Sequence, residues 1–359
     1  MEQEYRARVI SLKDKDLWNS LLRKLPLEQQ DVYFSPEYYN VYEKNSDGKA
    51  QCFVYEEDGE LALYPFLLNS VNQFGYDLDQ EYYDIEGCYG YNGVISSSYE
   101  EKFITDFYTE FDIYCINNNI IAEFVRFHPL IKNQFFSENN VSVFFNRNTV
   151  SLSNEKSIDM IYQSFSNSCK RAIKKSIGEG LSVEIVDNAN HQEVEIFNEV
   201  YKENMDRVGS TDYLYFNFEY FNNLSIVPGA KILKVKKNNE IVALFFCLFN
   251  DYYAHYHLGC SRTNFLQLRP NNFLYFEFIK LAVEIGCKKI HFGGGRTNTD
   301  DDSLLRFKSS FSDEKEDFYI GKKIRNKKIY DEVIRQWEIK YTDLIKNNIN
   351  IFLKYKIQK

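Results

Sequence analysis

The residues best suited to chemistry lie in one stretch: His291-Phe292-Gly293-Gly294-Gly295, a polar run from Arg296 to Asp302, then Ser-Leu-Leu-Arg-Phe307-Lys308-Ser-Ser-Phe311. A short strand over 288–292 ends in three glycines, which let backbone approach a ligand closely because no Cβ stands in the way. A cationic Lys308 follows, flanked by Phe307 and Phe311. The combination suits an anionic or polarised group, such as a carbonyl oxygen that gains charge under attack. The glycines fit neither Gly-x-Gly-x-x-Gly behind an early strand nor Gly-x-x-x-x-Gly-Lys, so no nucleotide-binding fold is expected. His255 and His257 lie two apart on one expected strand and therefore share a face. They could form half of a metal site or a proton relay. No carboxylate or cysteine stands at a diagnostic spacing, so they read as satisfied core or cleft histidines and no metal is expected. Gly-x-Ser-x-Gly is absent and Cys260 has no assigned base, which favours direct attack on an acyl donor without a covalent enzyme intermediate.

A second candidate cluster is Asp84-Ile85-Glu86-Gly87-Cys88-Tyr89-Gly90-Tyr91-Asn92-Gly93. The hydroxyls of Tyr89 and Tyr91 and the close backbone suit recognition of a polar acceptor. Asp84 or Glu86 could take a proton from an attacking ammonium, provided burial raises the carboxylate into the neutral range. A structural aromatic turn is the competing reading.

The elements that would position these groups follow from periodicity and punctuation. Ser35-Pro36 reads as an N-cap with Pro at the first helical position, starting a helix to about Asn45. Residues 51–55 and 60–68 read as a hairpin around Asp58-Gly59. Phe103, Phe107, Phe111 and Tyr114 predict a helix over 98–118, with a strand over 120–127 after it. In the second half, helices are expected over 157–177 and 191–208, with a strand over 181–186 between them. An antiparallel meander follows over 230–236, 240–249 and 252–259. Asn271 and Asn272 then cap a helix to Ile285, stopped by Gly286, and residues 326–359 read as helix.

Length and composition bound the class. A chain of 359 residues with 44% hydrophobic and 17% aromatic content is globular and long enough for two domains, with the joint expected near 146–154. Seven scattered cysteines without Cys-x-x-Cys spacing read as reduced, buried thiols of a cytoplasmic protein. No apolar run is long enough to span a bilayer, so no integral membrane segment is expected. Residues 1–150 carry a formal charge of -13 and residues 151–359 one of +4. The cationic half could attract a phosphorylated donor or acceptor, while the acidic half would repel an extended polyanion, and DNA is not an expected partner.

The Gly-Gly-Gly and Phe307-Lys308 segment, with the upstream Tyr89-Gly90-Tyr91-Asn92-Gly93, resembles the FemAB-like acyltransferases of the GNAT superfamily. Asn92 stands where the family's Tyr-Gly-Tyr-Gly-Gly motif has glycine. The resemblance implies an α/β (α+β) fold of two tandem GNAT-like domains, with mixed, mainly antiparallel sheets flanked by helices and no coiled-coil arm. The first domain is expected over 1–150, with the C-terminal helix 322–359 packing on it. The second is expected over 151–321 and carries the donor and catalytic channel. By the same resemblance, Phe307-Lys308 lies in the acyl-transfer channel, Lys308 stabilises the oxyanion, and Arg171 of the basic run 170–175 holds an acceptor diphosphate. The loop 261–272, with Arg262, Arg269, Asn271 and Asn272, occupies the place where a GNAT holds the donor's pyrophosphate, although the usual Arg/Gln-x-x-Gly-x-Gly/Ala run is missing. His255, His257 and Phe307 line the substrate side, and Gly293, Gly294 and Gly295 the donor side. The activity implied is N-acyl transfer, with acyl-CoA (acetyl-CoA) favoured as donor. The acceptor is the amine of a small-molecule, lipid-linked or nucleotide-linked cell-envelope precursor, an amino sugar or a peptidoglycan stem peptide. Charged tRNA as donor, for a peptidoglycan bridge aminoacyltransferase, is one alternative. A non-catalytic scaffold with the same fold is the other.

Overall fold

The computed structural model describes residues 6–210, 214–299 and 301–358. The chain forms two compact units. The first combines the residues up to Asn146 with those from Phe318 onward, and the second is Arg147–Asp317.

The first unit opens with β1 (Ala7–Ser11), α1 (Lys15–Leu22) and α2 (Pro36–Lys44). Ser35 caps α2 by accepting the Tyr38 amide, and Pro36 occupies a position whose N–H would have no helical partner. β2 (Lys49–Glu57) and β3 (Glu60–Ser70) form the expected hairpin. Its turn, Asp58 (φ 52) and Gly59 (φ 85), is left-handed at both positions, which matches the twist of the flanking strands. β4 (Tyr83–Glu86), β5 (Ile95–Ser96), α3 (Glu101–Asn117) and β6 (Ile120–Arg126) follow. α3 buries Phe103, Phe107 and Phe111 against Phe53, Tyr55 and Tyr64, so the spacing of its aromatics carries the packing.

The second unit is entered along β7 (Ser142–Ser153) and continues through α4 (Ile158–Ser164), α5 (Asn167–Gly178), β8 (Ser182–Asp187), α6 (His191–Val208) and α7 (Phe218–Ser225). The single helix expected over 157–177 is two helices. It breaks at Phe165-Ser166, where Ser166 leaves helical geometry to cap α5 through the Cys169 amide. α6 has the expected bounds, fixed by an Asn190/Glu193 capping box and a left-handed Gly209. The meander is β9 (Ala230–Lys237), β10 (Glu240–Phe249) and β11 (Tyr253–Ser261), followed by α8 (Pro270–Ile285), β12 (Lys289–Gly294) and α9 (Ser303–Lys308). Asn271 and Asn272 do not cap α8. The helix starts one residue earlier at Pro270, after a left-handed Arg269, so both asparagines lie in its first turn. The sheet runs β7-β12-β11-β10-β9-β8, antiparallel except for the β11/β12 pair.

The chain then returns through β13 (Lys315–Ile324), α10 (Lys327–Lys340) and α11 (Ile345–Asn348). β13 pairs antiparallel with β6 and completes the first unit's sheet after β1-β2-β3-β4-β6. The tail is not one helix: α10 ends at Tyr341, and short turns carry Leu353 and Tyr355 back under Trp337 and Tyr330. Each unit thus repeats one order: edge strand, two helices, antiparallel hairpin, fourth strand, helix, and a strand parallel to the fourth. Among the described residues no helix is long and apolar enough to cross a membrane.

Candidate active site around Lys308

The parallel strands β11 and β12 pair only at Tyr253↔Lys289, Ala254↔Ile290 and His255↔His291. Beyond that point β11 stays with β10 as far as Ser261, while β12 shifts register against β7 at Gly293. The two parallel strands therefore part at their carboxyl ends, the place where α/β sheets receive ligands. Alternation along β11 turns Tyr256 toward α8, where its ring lies 5.0 Å from that of Tyr275, and turns its neighbours to the other face.

Lys308 ends α9 and points into this region. It is 4% exposed. Its Nζ donates to the carbonyl of Gly294 at 2.7 Å and lies 5.3 Å from the centre of the Tyr256 ring. Burial pushes the amine down to about 7, with the Asp302 carboxylate opposing the shift and the Arg147 guanidinium adding to it. Tyr275, Phe292, Phe307 and Phe311 form the aromatic wall beside it, with Phe311 stacked on Tyr275 at 5.1 Å.

Each glycine of the triplet has its own physical reason. Gly293 is left-handed (φ 75), and a Cβ there would stand 3.3 Å from Lys308 Nζ. A Cβ on Gly294 would meet the Asn148 carbonyl and the Arg147 side chain, both at 3.1 Å. On Gly295 it would strike the Asp302 carboxylate at 2.5 Å. Asp302 holds the loop to the helix: Oδ2 accepts the amides of Arg296 and Thr297 at 3.0 and 2.9 Å, and Oδ1 those of Leu304 and Leu305 at 2.9 Å each. Burial works against its ionisation, but these donors pull the carboxyl down to about 2. Arg147 clamps the far side by donating to the carbonyls of Gly295 and Arg296 at 2.9 and 3.1 Å. Arg147, Tyr256, Tyr275 and Asp302 had not been singled out from the sequence. Asp302 was legible, since it stands before a helical Ser-Leu-Leu-Arg and behind a glycine turn.

Other expected residues fall elsewhere. His255 and His257 lie on the sheet face opposite Tyr256 and do not join Lys308. His257 Nε2 meets the Tyr220 hydroxyl at 3.0 Å, and burial, then the neighbouring His255, pulls it down to about 3. His255 is buried beside His291, with ring centres 5.6 Å apart. Arg262 is paired with Glu199 and Glu203 of α6 at 3.0 and 3.3 Å. Arg269 is exposed at the start of α8, and Arg171 is exposed on α5. Asn272 reaches toward Cys169 Sγ at 3.9 Å.

In the first unit, Asp84 and Glu86 are structural rather than free bases. Lys356 Nζ lies 2.6 Å from Asp84 and 2.5 Å from Glu86, and the Tyr355 hydroxyl donates to Asp84 at 2.8 Å. Burial pushes the Asp84 carboxyl up, as the role of base had required, but the group is fully enclosed and faces the returning tail. Tyr91 is packed edge-on among Tyr33, His128 and Phe318. Tyr89 gives its carbonyl to the Tyr38 hydroxyl, and its ring lies 6.0 Å from the Arg126 guanidinium. β4 and β6 are also parallel, but here the gap is closed: Asn92 bridges to Phe127, donating its amide to Arg126 O at 2.7 Å and accepting Arg126 N–H at 2.8 Å.

Residues 163–309, which contain α5 to α9 and every group of the Lys308 site but Arg147 and Phe311, match the acetyltransferase (GNAT) domain family. The second unit is a GNAT acyltransferase domain. The solved structure of FemX shares the fold of the whole chain, with a TM-score of 0.70 at 14% identity, covering 91% of this chain and 99% of that one. L-PGS from Bacillus licheniformis gives 0.56 at 12%, covering 88% and 92%. A tandem GNAT protein from the clavulanic acid biosynthesis pathway gives 0.50 at 6%, covering 88% and 98%. No curated protein sequence is a significant match. The chain therefore carries the tandem, FemAB-like GNAT architecture that its motifs imply. Within the GNAT domain, α8 begins with no acidic residue in its first turn. The equivalent α3 starts at Glu100-Glu101. An anionic donor is favoured at the first helix end and repelled at the second.

Proposed function

We propose that the chain transfers an acyl group from an activated donor to the amine of a cell-envelope precursor, with Lys308 at the reacting carbonyl. The observation that carries this reading is the buried Lys308 amine held against Gly294 where β11 and β12 part. The donor would lie where these strands part, its phosphates toward the α8 amides and Arg269. The acceptor nitrogen attacks the acyl carbonyl carbon and the carbonyl electron pair moves to oxygen, where the Lys308 ammonium meets the developing charge. Collapse re-forms the carbonyl and expels the donor's leaving group, which takes up the proton that nitrogen gives away. An ammonium with a depressed pKa loses part of its charge near neutrality, so transfer falls as pH rises through about 7.

A CoA thioester is the favoured donor, since the first unit is acidic and disfavours an extended polyanion. Aminoacyl-tRNA is the second reading, supported by the FemX-like fold. The fold shared with L-PGS, and with the C-terminal domain of a putative lysylphosphatidylglycerol synthetase from Agrobacterium fabrum, supports an envelope acceptor. Incubating the chain with acyl-CoAs or charged tRNA, with amino sugars, stem peptides and their nucleotide-linked forms as acceptors, separates these readings by the mass of the product. Thermal stabilisation by a donor without any acylated product would leave the scaffold reading in its place.

A further inference from the structure

The C-terminal segment of the first unit carries charge and apolar surface that acyl transfer does not use. Residues 321–359 hold 11 basic and 4 acidic residues. Most of the described cations are neutralised internally: Lys323 and Arg325 by Asp112 and Glu123, Lys327 by Asp331, Arg335 by Glu332, Lys354 by Glu338, and Lys356 by Asp84 and Glu86. Lys322, Lys328, Lys340 and Lys346 meet no carboxylate among the described residues.

Two aromatic rings flank the first of these, and exposed isoleucines stand close to them in sequence. Lys322 Nζ lies 5.5 Å from the ring centre of Phe144 and 6.0 Å from that of Phe352. Ile324 shares the Lys322 face of β13, and Ile349 and Ile351 precede Phe352 in the turn after α11. Phe144, Ile324, Ile349 and Ile351 are all exposed, Ile349 to 65%. The opposite face of β13 points to α3, where Lys323 meets Asp112, so the patch lies on the side of the sheet away from that helix.

We propose that this patch, in a segment of an otherwise acidic unit where basic residues are in excess, seats the first unit on an anionic membrane surface. Phe144 and the isoleucines would enter the headgroup boundary while Lys322 and Lys346 meet lipid phosphates. The pairing of unneutralised lysines with bare isoleucines favours lipid over a second copy of the chain, because a two-fold contact would bring two like-charged patches together. The inference stands whichever donor the enzyme uses.

Co-sedimentation of the full chain with phosphatidylcholine vesicles, with and without phosphatidylglycerol, tests it. Binding is expected only to the anionic vesicles and should weaken as salt is added. The triple variant Lys346→Glu, Ile349→Asp, Ile351→Asp should lower the bound fraction about tenfold or more. Ile116→Asp, equally exposed but on α3, should bind as the unaltered chain does, and circular dichroism of both variants should be unchanged. Absence of binding, equal binding to neutral vesicles, an undiminished triple variant, or self-association in place of vesicle binding would overturn the proposal.

Discussion

A lysine amine enclosed by aromatic rings is costly to charge, and Lys308 therefore ties the proposed chemistry to pH. Lys308→Met removes the donor of the oxyanion contact and should lower kcat by roughly 10²–10³-fold with near-ultraviolet circular dichroism unchanged. Stability reports the same amine independently of turnover. Below about 7 Lys308 is charged in both folded and unfolded chains and its burial penalty is fully present. Between about 7 and the ordinary lysine value the unfolded chain binds more protons, so stability rises with pH across that window. In Lys308→Met that rise should be lost, which urea titrations from pH 7 to 10 would measure. Asp302 acts on the amine through the loop. Asp302→Ala removes a cap with four amide donors and should destabilise by about 1–2 kcal/mol. It also withdraws the negative charge that favours the Lys308 ammonium, so the fall in rate should move to lower pH. A pH–rate profile identical to that of the unaltered enzyme would remove Asp302 from this role.

At the scale of elements, the site depends on two strands separating and on a glycine turn that lets a short helix fold back. Gly293→Ala places a side chain at φ 75 and 3.3 Å from the Lys308 amine. Left-handed strain alone is about 1–2 kcal/mol, and the amine must also move. Activity should therefore fall by more than the loss of stability explains, a split that kcat measured well below the unfolding temperature would show. Much of this level was readable in advance: the hairpin at Asp58-Gly59, α6 between its capping box and Gly209, and β12 leading into the glycines. The breaks at Phe165-Ser166 and Tyr341 were not, because apolar periodicity continues through both, although Ser166 ends the first helix by capping the next. α8 was expected to be capped by asparagines, and a left-handed arginine before proline starts it instead.

Across the whole molecule, the returning tail is fastened to the first unit by buried charge. Arg325 meets Glu123 at 2.6 Å and Asp112 at 2.5 Å, Tyr64 donates to Glu123 at 2.7 Å, and the guanidinium lies 4.8 Å from the ring of Phe111. Glu123 is fully buried. Arg325→Met would leave that carboxylate without its partner and should cost about 3–5 kcal/mol, seen as a lower denaturation midpoint. The double change Arg325→Met with Glu123→Gln should recover part of the loss. Full stability in the single variant would show that the Arg325 ion pair does not fasten the tail.

Local chemistry determined the elements, the tandem order and the lysine that follows the glycines, since caps, turn residues and periodicity act over a few residues. It also pointed to Asp84 and Glu86, but their partners Tyr355 and Lys356 stand some 270 residues along the chain and no local pattern reveals them. The same holds for Arg147, which reaches Gly295 across 148 residues, and for the placing of His255 and His257 away from Lys308. Side-chain type and spacing follow from neighbours in sequence. Which carboxylate is neutralised, which amine is desolvated and which strand face a side chain takes follow from neighbours in space, and only the folded chain decides those.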